Sequence, residues 1–478
     1  MPVLWAPVCL AQKVGAGVGR GQVLLRTLSP PAQTAALTRS PAMSTALVWL
    51  RNDLRLHDQP VLQAACQLGA QHLLPVVCLP DVQATTRWGF ARIGPHRRAW
   101  LANTLQNLLQ RFQNLRSQLC ILNQPAAIAL PALARAVGAT SIVCEDIAAP
   151  EEQAEVAALR AAGLQVHTVW HSSLLHPAQL PWPVAQLPAV FTPFRQAIEH
   201  AGLQPAAPLP VPATLPPLPP ELPTESLDAP AQALAGLAGL PPAAADARSA
   251  FPYLQGHLHG GESAALAHLS QYLERGLPHS YKRTRNGLLG LDYSSKWSPW
   301  LATGALSPRQ AIAQLRQFEA THGASDGSYW LWFELLWRDY FRFLHLQHGP
   351  ALYRARGLGP AQATPHNDQH FAAWCAGQTG QPLVDAAMRE LAATGYLSNR
   401  LRQVAASYLI HDLGCDWRAG AAWFEAQLLD YDVYSNQGNW LYIAWRGTDP
   451  RGGRRFDPVK QAATYDPDRS YQRLWGTA

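Results

Sequence analysis

Three groups of residues could do chemistry together. The first lies between Asn399 and Tyr442. Asn399, Arg402 and Gln403 sit at i, i+3 and i+4, the spacing of one helix face. Asp430 and Asp432 follow, then Asn436, Trp440 and Tyr442, with Trp417 between the groups. Carboxylates, an arginine, amides and indoles in one segment fit a buried polar cofactor with an electron path leading away from it. Arg402 is costly to bury without a carboxylate, which Asp430 or Asp432 could supply, although a single buried pair is as readily structural. The second group is ELLWRDYF, where Glu334, Trp337, Arg338 and Phe341 share a helix face. It reads either as a cavity wall or as a salt bridge among core aromatics. The third is DYSSKWSPWLATGALSPR (292–309). Ser298 followed by Pro299 is an N-cap and N1 signal, Gly304 closes a short helix, and Ser307-Pro308 opens the next. Ser294, Ser295 and Ser298 then offer hydroxyls beside free backbone N–H groups, suited to a pyrophosphate, or simply a helix cap.

These groups need elements to hold them. ALVWL (46–50), HLLPVVCL, QLCILN, SIVCED and LQVHTVW are short apolar runs that predict buried strands. Helix-period segments lie between them, clearest in IGPHRRAWLANTLQNLLQRF, where Leu101, Leu105, Leu108 and Phe112 recur. Alternation of this kind predicts a Rossmann-like parallel α/β sheet over residues 44–202. No GxGxxG turn is present, so the sheet has no phosphate signature of its own. Residues 203–248 are proline-rich and nearly uncharged, and predict a long linker extended in its first half. From 249 to 478 five segments read at helical period, which predicts an all-α domain with a basic tail.

Composition sets the bounds. The chain has 478 residues, 48% hydrophobic and 15% charged, with a net charge of +6 that is weakly consistent with an anionic partner. Its 17 tryptophans are roughly three times average usage. Core packing explains most of them; an aromatic pocket is the sharper reading for a few. Seven cysteines form no CxxC pair and no metal spacing, so no metal site is expected, and reduced thiols point to a cytoplasmic compartment. No apolar run reaches the ~18–20 residues of a membrane span. Residues 1–42 lack acids and carry Lys13, Arg20, Arg26 and Arg39 among Ser, Thr, Ala and Pro. They read either as a chloroplast or mitochondrial transit peptide or as an extension upstream of a true start at Met43. Residues 1–43 are therefore set aside from the fold.

YKRTRNGLLGLDYSSKWSPWLATGALSPR, SYWLWFELLWRDYFRF, GQTGQPLVDAAMRELAATGYLSNRLRQ and DWRAGAAWFEAQLLDYDVYSNQGNWLY resemble the photolyase/cryptochrome family. RNDLRLHDQPVL and LPAVFTPFR resemble its DASH branch. The resemblance runs from Thr45 to the C-terminus. It implies an FAD folded into a U in the helical domain. Tyr281, Ser294, Ser295, Lys296, Trp297 and Ser298 match positions that hold its phosphates and ribityl chain. Arg338, Arg402, Asp430, Asp432 and Asn436 match those around the isoalloxazine. Glu334, Trp337, Asn399, Gln403 and Tyr442 match the substrate pocket, with Arg285 on the nucleic-acid backbone. The implied activity is light-driven splitting of cyclobutane pyrimidine dimers by electron transfer, preferentially in single-stranded DNA, by a monomer; RNA is a further single-stranded partner to consider. The alternative is a blue-light photoreceptor that binds FAD and nucleic acid without efficient repair. Trp440 and Trp417 match the first two steps of a photoreduction relay. The usual third tryptophan is missing, since none lies between Arg354 and Ala373. The relay then ends elsewhere, with Trp374 a candidate, or works less efficiently. CEDIAAPEEQAEV (144–156) resembles a region that binds 5,10-methenyltetrahydrofolate as an antenna, through Glu151 or Glu152.

Overall fold

The computed structural model describes residues 45–222, 230–239, 246–255, 257–359, 366–450 and 454–476. The segment 1–43 and parts of the expected linker lie outside the described residues. Five strands form one parallel sheet: β1 (Thr45–Trp49), β2 (His72–Cys78), β3 (Cys120–Leu122), β4 (Ser141–Glu145) and β5 (Gln165–Val169), in the order β3-β2-β1-β4-β5. The apolar runs mark these strands because both faces are covered: every residue of β1 and β4 is buried. In register, Ala46 faces Leu73 on one side and Ser141 on the other. β3 pairs with β2 only from Val76 onward, past Pro75, which has no N–H to give. Helices α1 (Pro60–Gln67), α2 (Pro95–Asn114), α3 (Ala126–Ala136), α4 (Pro150–Ala161) and α5 (Phe191–His200) follow the strands. α2 serves two cores. Leu105, Leu108 and Phe112 pack on the sheet, while Trp100 packs with Phe251 and Trp300 of the helical part.

The proline-rich segment is not a free spacer where it is described. Residues 203–222 are without helix or strand, yet Pro217 accepts a bond from the Leu73 N–H at 3.0 Å and Leu209 from Asp58 N–H at 2.9 Å. Leu215, Leu218 and Leu222 pack against the sheet cores, and α6 (Pro230–Ala238) buries Leu234 and Leu237 there. Leucines spaced along an extended proline-rich chain give it one apolar edge, which explains the docking.

The helical part runs α7 (Glu262–Glu274), α8 (Tyr281–Thr284), α9 (Ser298–Thr303), α10 (Pro308–His322), α11 (Asp326–His348), α12 (Asp368–Cys375), α13 (Pro382–Thr394), α14 (Asn399–His411), α15 (Trp417–Gln427), α16 (Val433–Ile443), α17 (Pro458–Tyr465) and α18 (Ser470–Leu474). One boundary differs from expectation. Trp297, with helical dihedrals and no side-chain bond, occupies the N-cap of α9, so Ser298 is the first helical residue. Ser307 caps α10 as expected, accepting from the N–H groups of Arg309 and Gln310.

The RNDLRLHDQ loop after β1 ties the layers together. Leu54 N–H donates to Thr303 O at 3.1 Å, and Arg55 Nη1 to Gly304 O at 2.8 Å. His57 and Arg111 both pair with buried Glu262, and Asp58 pairs with Arg309 at 2.6 Å. Gly304, at φ 70°, lies so close to Asn52 that a Cβ would overlap its carbonyl oxygen. Among the described residues no helix is long and apolar enough to cross a membrane, and no group of three His, Cys, Asp or Glu could hold a metal.

Candidate cofactor site and electron path

α14, α15 and α16 line a cavity, partly open to solvent, of about 500 Å³. α14 contributes Asn399, Arg402, Gln403 and Ala406 to its lining. The turn after α15 contributes Asp430, Tyr431 and Asp432, and α16 contributes Ser435, Asn436, Asn439 and Trp440. The helix-face spacing at 399–403 therefore points one polar edge into one space. Ser398 starts α14 by capping Leu401 N–H at 3.3 Å, which sets the phase of that edge.

Arg402 does have its carboxylate: Nη2 donates to Asp430 Oδ2 at 2.8 Å, and Nε to Leu397 O at 2.8 Å. Burial works against the Arg402 charge, but Asp430 more than offsets it and the guanidinium pKa is raised. The second oxygen, Asp430 Oδ1, is buried without a hydrogen-bond partner. Asp432 caps α16 by accepting from Ser435 N–H at 2.8 Å. Its partner is Arg342 at 2.6 Å, a fully buried guanidinium that the sequence reading passed over. Burial pushes the Asp432 carboxyl up, yet Arg342 and Arg338 win and hold it well below the usual carboxylate range. Asn436 Nδ2 donates to Ala421 O at 3.1 Å, which fixes its amide plane.

Arg338 is placed differently from the other isoalloxazine candidates. Its guanidinium donates to the carbonyls of Ser172 and Leu301, bridging the two layers. Burial, with Arg342 beside it, lowers its pKa to about 10. Arg342, one helical turn on, takes the carboxylate instead. The spacing Arg338–Arg342 was the available signal, because two buried arginines on one face exceed what one acid can balance.

Glu334 and Arg285 form an ion pair, and the Arg285 guanidinium lies over the Trp330 ring at 4.4 Å. Trp337 stacks on Phe191 of the LPAVFTPFR segment, with centroids 3.8 Å apart at 14°. Tyr442 is half-buried on α16, between the cavity residues Trp440 and Ile443, and does not itself line the cavity.

The Ser294–Ser298 loop borders a second cavity of about 500 Å³, lined in part by Ser294, Ser295, Lys296, His268 and Arg275. Ser294 and Lys296 are both left-handed, at φ 61° and 60°, so the loop doubles back. Burial raises the Tyr281 pKa, with Arg285 and Ser294 beside it pulling the other way. Lys296 Nζ lies over the Tyr293 ring at 3.1 Å and has no hydrogen-bond partner, as do Tyr293 Oη and Trp297 Nε1. Burial drives the Lys296 pKa well below its ordinary value.

Trp440 is buried in the cavity wall. It packs so closely on α15 that a Cβ at Gly420 would overlap its indole. Trp440 meets Trp374 edge-on, with centroids 6.4 Å apart. Trp417 is 2% exposed, and its N–H donates to Ala355 O at 3.0 Å; it has no ring contact among the described residues. At the antenna candidates, Glu151 pairs with Arg92 on the surface, while burial raises the Glu152 carboxyl.

These residues fit a flavin nucleotide. The cavity joins an apolar wall to amides, a locked arginine and a carboxylate oxygen with no partner of its own, which matches a flat ring with polar edges. A buried amino group and a tyrosine hydroxyl without hydrogen-bond partners, next to the serines of the same loop, fit a phosphate-bearing tail. Comparison with known proteins agrees. Residues 330–477 match the FAD binding domain of DNA photolyase, and residues 46–214 match DNA photolyase. A Cryptochrome DASH of Gloeobacter violaceus is 42% identical over 90% of this chain and 85% of its own length. A "Cryptochrome DASH, chloroplastic/mitochondrial" of Oryza sativa is 37% identical over 96% and 81%. The crystal structure of a Synechocystis cryptochrome superposes with a TM-score of 0.81 at 39% identity, covering 91% of this chain and 89% of that one. The fold and site thus define a flavoprotein with an α/β layer and a helical FAD-binding part. The chain belongs to the photolyase/cryptochrome family, in its DASH cryptochrome branch.

Proposed function

We propose that this protein repairs cyclobutane pyrimidine dimers under blue light, preferentially in single-stranded DNA. The observation that carries the reading is the Arg402–Asp430 pair and Asn436 framing a cavity whose wall is Trp440. Bound FAD, reduced and excited, supplies the electron that splits the dimer. The chain's own residues do the rest. Arg402 brings a locked positive charge to the cavity, and Asp430 offers its free oxygen to a ring N–H. Asn436 is neutral, so it leaves an anionic reduced ring tolerable where a third carboxylate would not. Glu334, with Trp337 beside it on α11, serves the substrate side, where a carboxyl and an indole can hold a flipped-out pyrimidine dimer; Asn399, Gln403 and Tyr442 share that role. Arg285 exchanges its pairing with Glu334 for a DNA phosphate. Single strands are favoured because no base pairs need to be broken to flip the lesion out. Tyr281, Ser294, Ser295, Lys296, Trp297 and Ser298 hold the phosphates and ribityl chain.

Repair of a dimer-containing oligonucleotide by fully reduced protein, with and without light, tests the reading. Light-dependent recovery of unmodified pyrimidines on the single strand is expected. Absence of repair on the single strand would leave the photoreceptor reading as the better one.

A further inference from the structure

The rings of Trp440, Trp374, Phe371 and Trp88 form a ladder from the cavity wall to the surface of the α/β layer. Trp440 and Trp374 are 6.4 Å apart, edge to face. Trp374 stacks on Phe371 at 6.1 Å and 22°, and Phe371 lies 6.5 Å from Trp88. Trp440 and Trp374 are sealed from water, at 2% and 0% exposure. Trp88, on the loop between β2 and α2, is half-buried.

We propose that Trp88 is the surface terminus of this chain's photoreduction relay, reached from Trp440 through Trp374. The inference rests on the flavin reading above. Each one-electron reduction of excited flavin removes one electron from Trp440. Trp374 then gives an electron to Trp440, and Trp88 gives one to Trp374 across the Phe371 ring, which is too hard to oxidise to hold the charge itself. Trp88 releases its indole proton to water and becomes a neutral radical. A dissolved thiol restores it with one electron and one proton, and two thiyl radicals from two such events join as a disulfide.

The end point follows from where a proton can leave. The Trp374 N–H is tied to Ala405 O at 3.0 Å inside the core, so neither water nor a reductant reaches it. Trp423 is reached from Phe371 through Phe90, over 6.2 and 5.1 Å, but its N–H is buried without an acceptor. Arg87 lies over the Trp88 ring at 4.4 Å. Its charge disfavours a lasting cation on Trp88 and so favours loss of the proton.

The test illuminates the FAD-loaded full chain without reductant, digests it and maps oxygen adducts on tryptophan by mass spectrometry. Time-resolved absorption follows the tryptophan radical in parallel. Adducts are expected at Trp88. The long-lived radical should be lost in Trp88→Phe and in Trp374→Phe and kept in Trp417→Phe. Adducts absent from Trp88 in the unmodified protein overturn the proposal, whatever the variants' folding. So does a Trp88→Phe protein that keeps the long-lived radical while Trp417→Phe loses it. Repair by chemically reduced wild-type protein does not use the ladder, so its failure counts against the repair reading alone.

Discussion

Asp432 and Asp430 sit two residues apart and live in different electrostatic worlds. Asp432 spends its charge on Arg342 and on the start of α16; Asp430 keeps one oxygen uncommitted. Adding a third carboxylate should therefore act on the cofactor. Asn436→Asp is expected to shift the flavin midpoint potential negative by about 60 mV or more, tenfold for one electron. A redox titration followed by absorption checks it. Glu390 makes a separate, pH-dependent prediction. It is buried beside Tyr471, and burial raises its carboxyl from 4.5 to about 8, with Tyr471 and Lys296 pulling the other way. The folded state thus binds this proton more tightly than the unfolded chain. Its stabilising contribution is complete below pH 4.5 and is lost as pH rises through 8. Glu390→Gln should flatten the fall of melting temperature across that window. A variant with the same slope as wild type would show that Glu390 is not the titrating group.

At the level of elements, α15 and α16 depend on Gly420 for their approach. Gly420→Ala would drive a methyl into Trp440 and Leu409. Overpacking of this kind costs about 1–3 kcal/mol, read as a lowered denaturation midpoint. Flavin photoreduction should slow with it, because the displaced indole borders the cavity. Elements were where the sequence spoke most clearly. Five apolar runs gave five strands, and the helix-period segments gave helices, because burial on one or two faces writes a period into the chain. The shared face of Asn399, Arg402 and Gln403 was equally legible. The cap of α9 was not: Ser-Pro reads as N-cap and N1, but the doubled-back loop at Ser294–Lys296 delivers Trp297 in helical dihedrals and starts the helix one residue early. Gly420 escaped because its partner, Trp440, is distant in sequence and nothing local marks the contact; Arg342 left only its spacing from Arg338 as a signal, because its partner Asp432 is 90 residues away.

For the whole molecule, the seam between layers is polar, buried and long-range. Asp58 and Arg309 lie 251 residues apart in the chain, and the Asp58 side chain is fully enclosed. No periodicity announces such a pair. Asp58→Ala would strand Arg309 and Arg55 near the interior, and breaking a buried pair typically costs about 3–5 kcal/mol. Equilibrium denaturation should show that loss in one cooperative transition, because Asp58 bonds the α/β layer, Ser307 of the helical part and Leu209 of the proline-rich segment at once.

Glu262 sharpens the point. It opens α7 in the helical part, yet its carboxylate is consumed by the backbone of Leu56 and His57, the His57 ring and Arg111, all from the α/β layer. The flavin-binding half therefore has no finished outer skin along this seam. Produced by itself it would present a naked acid, the carbonyls of Thr303 and Gly304, and the apolar face around Trp300 to solvent. Fragment work on the cofactor is closed off by that surface, and spectroscopy on the flavin has to be done with the α/β layer attached.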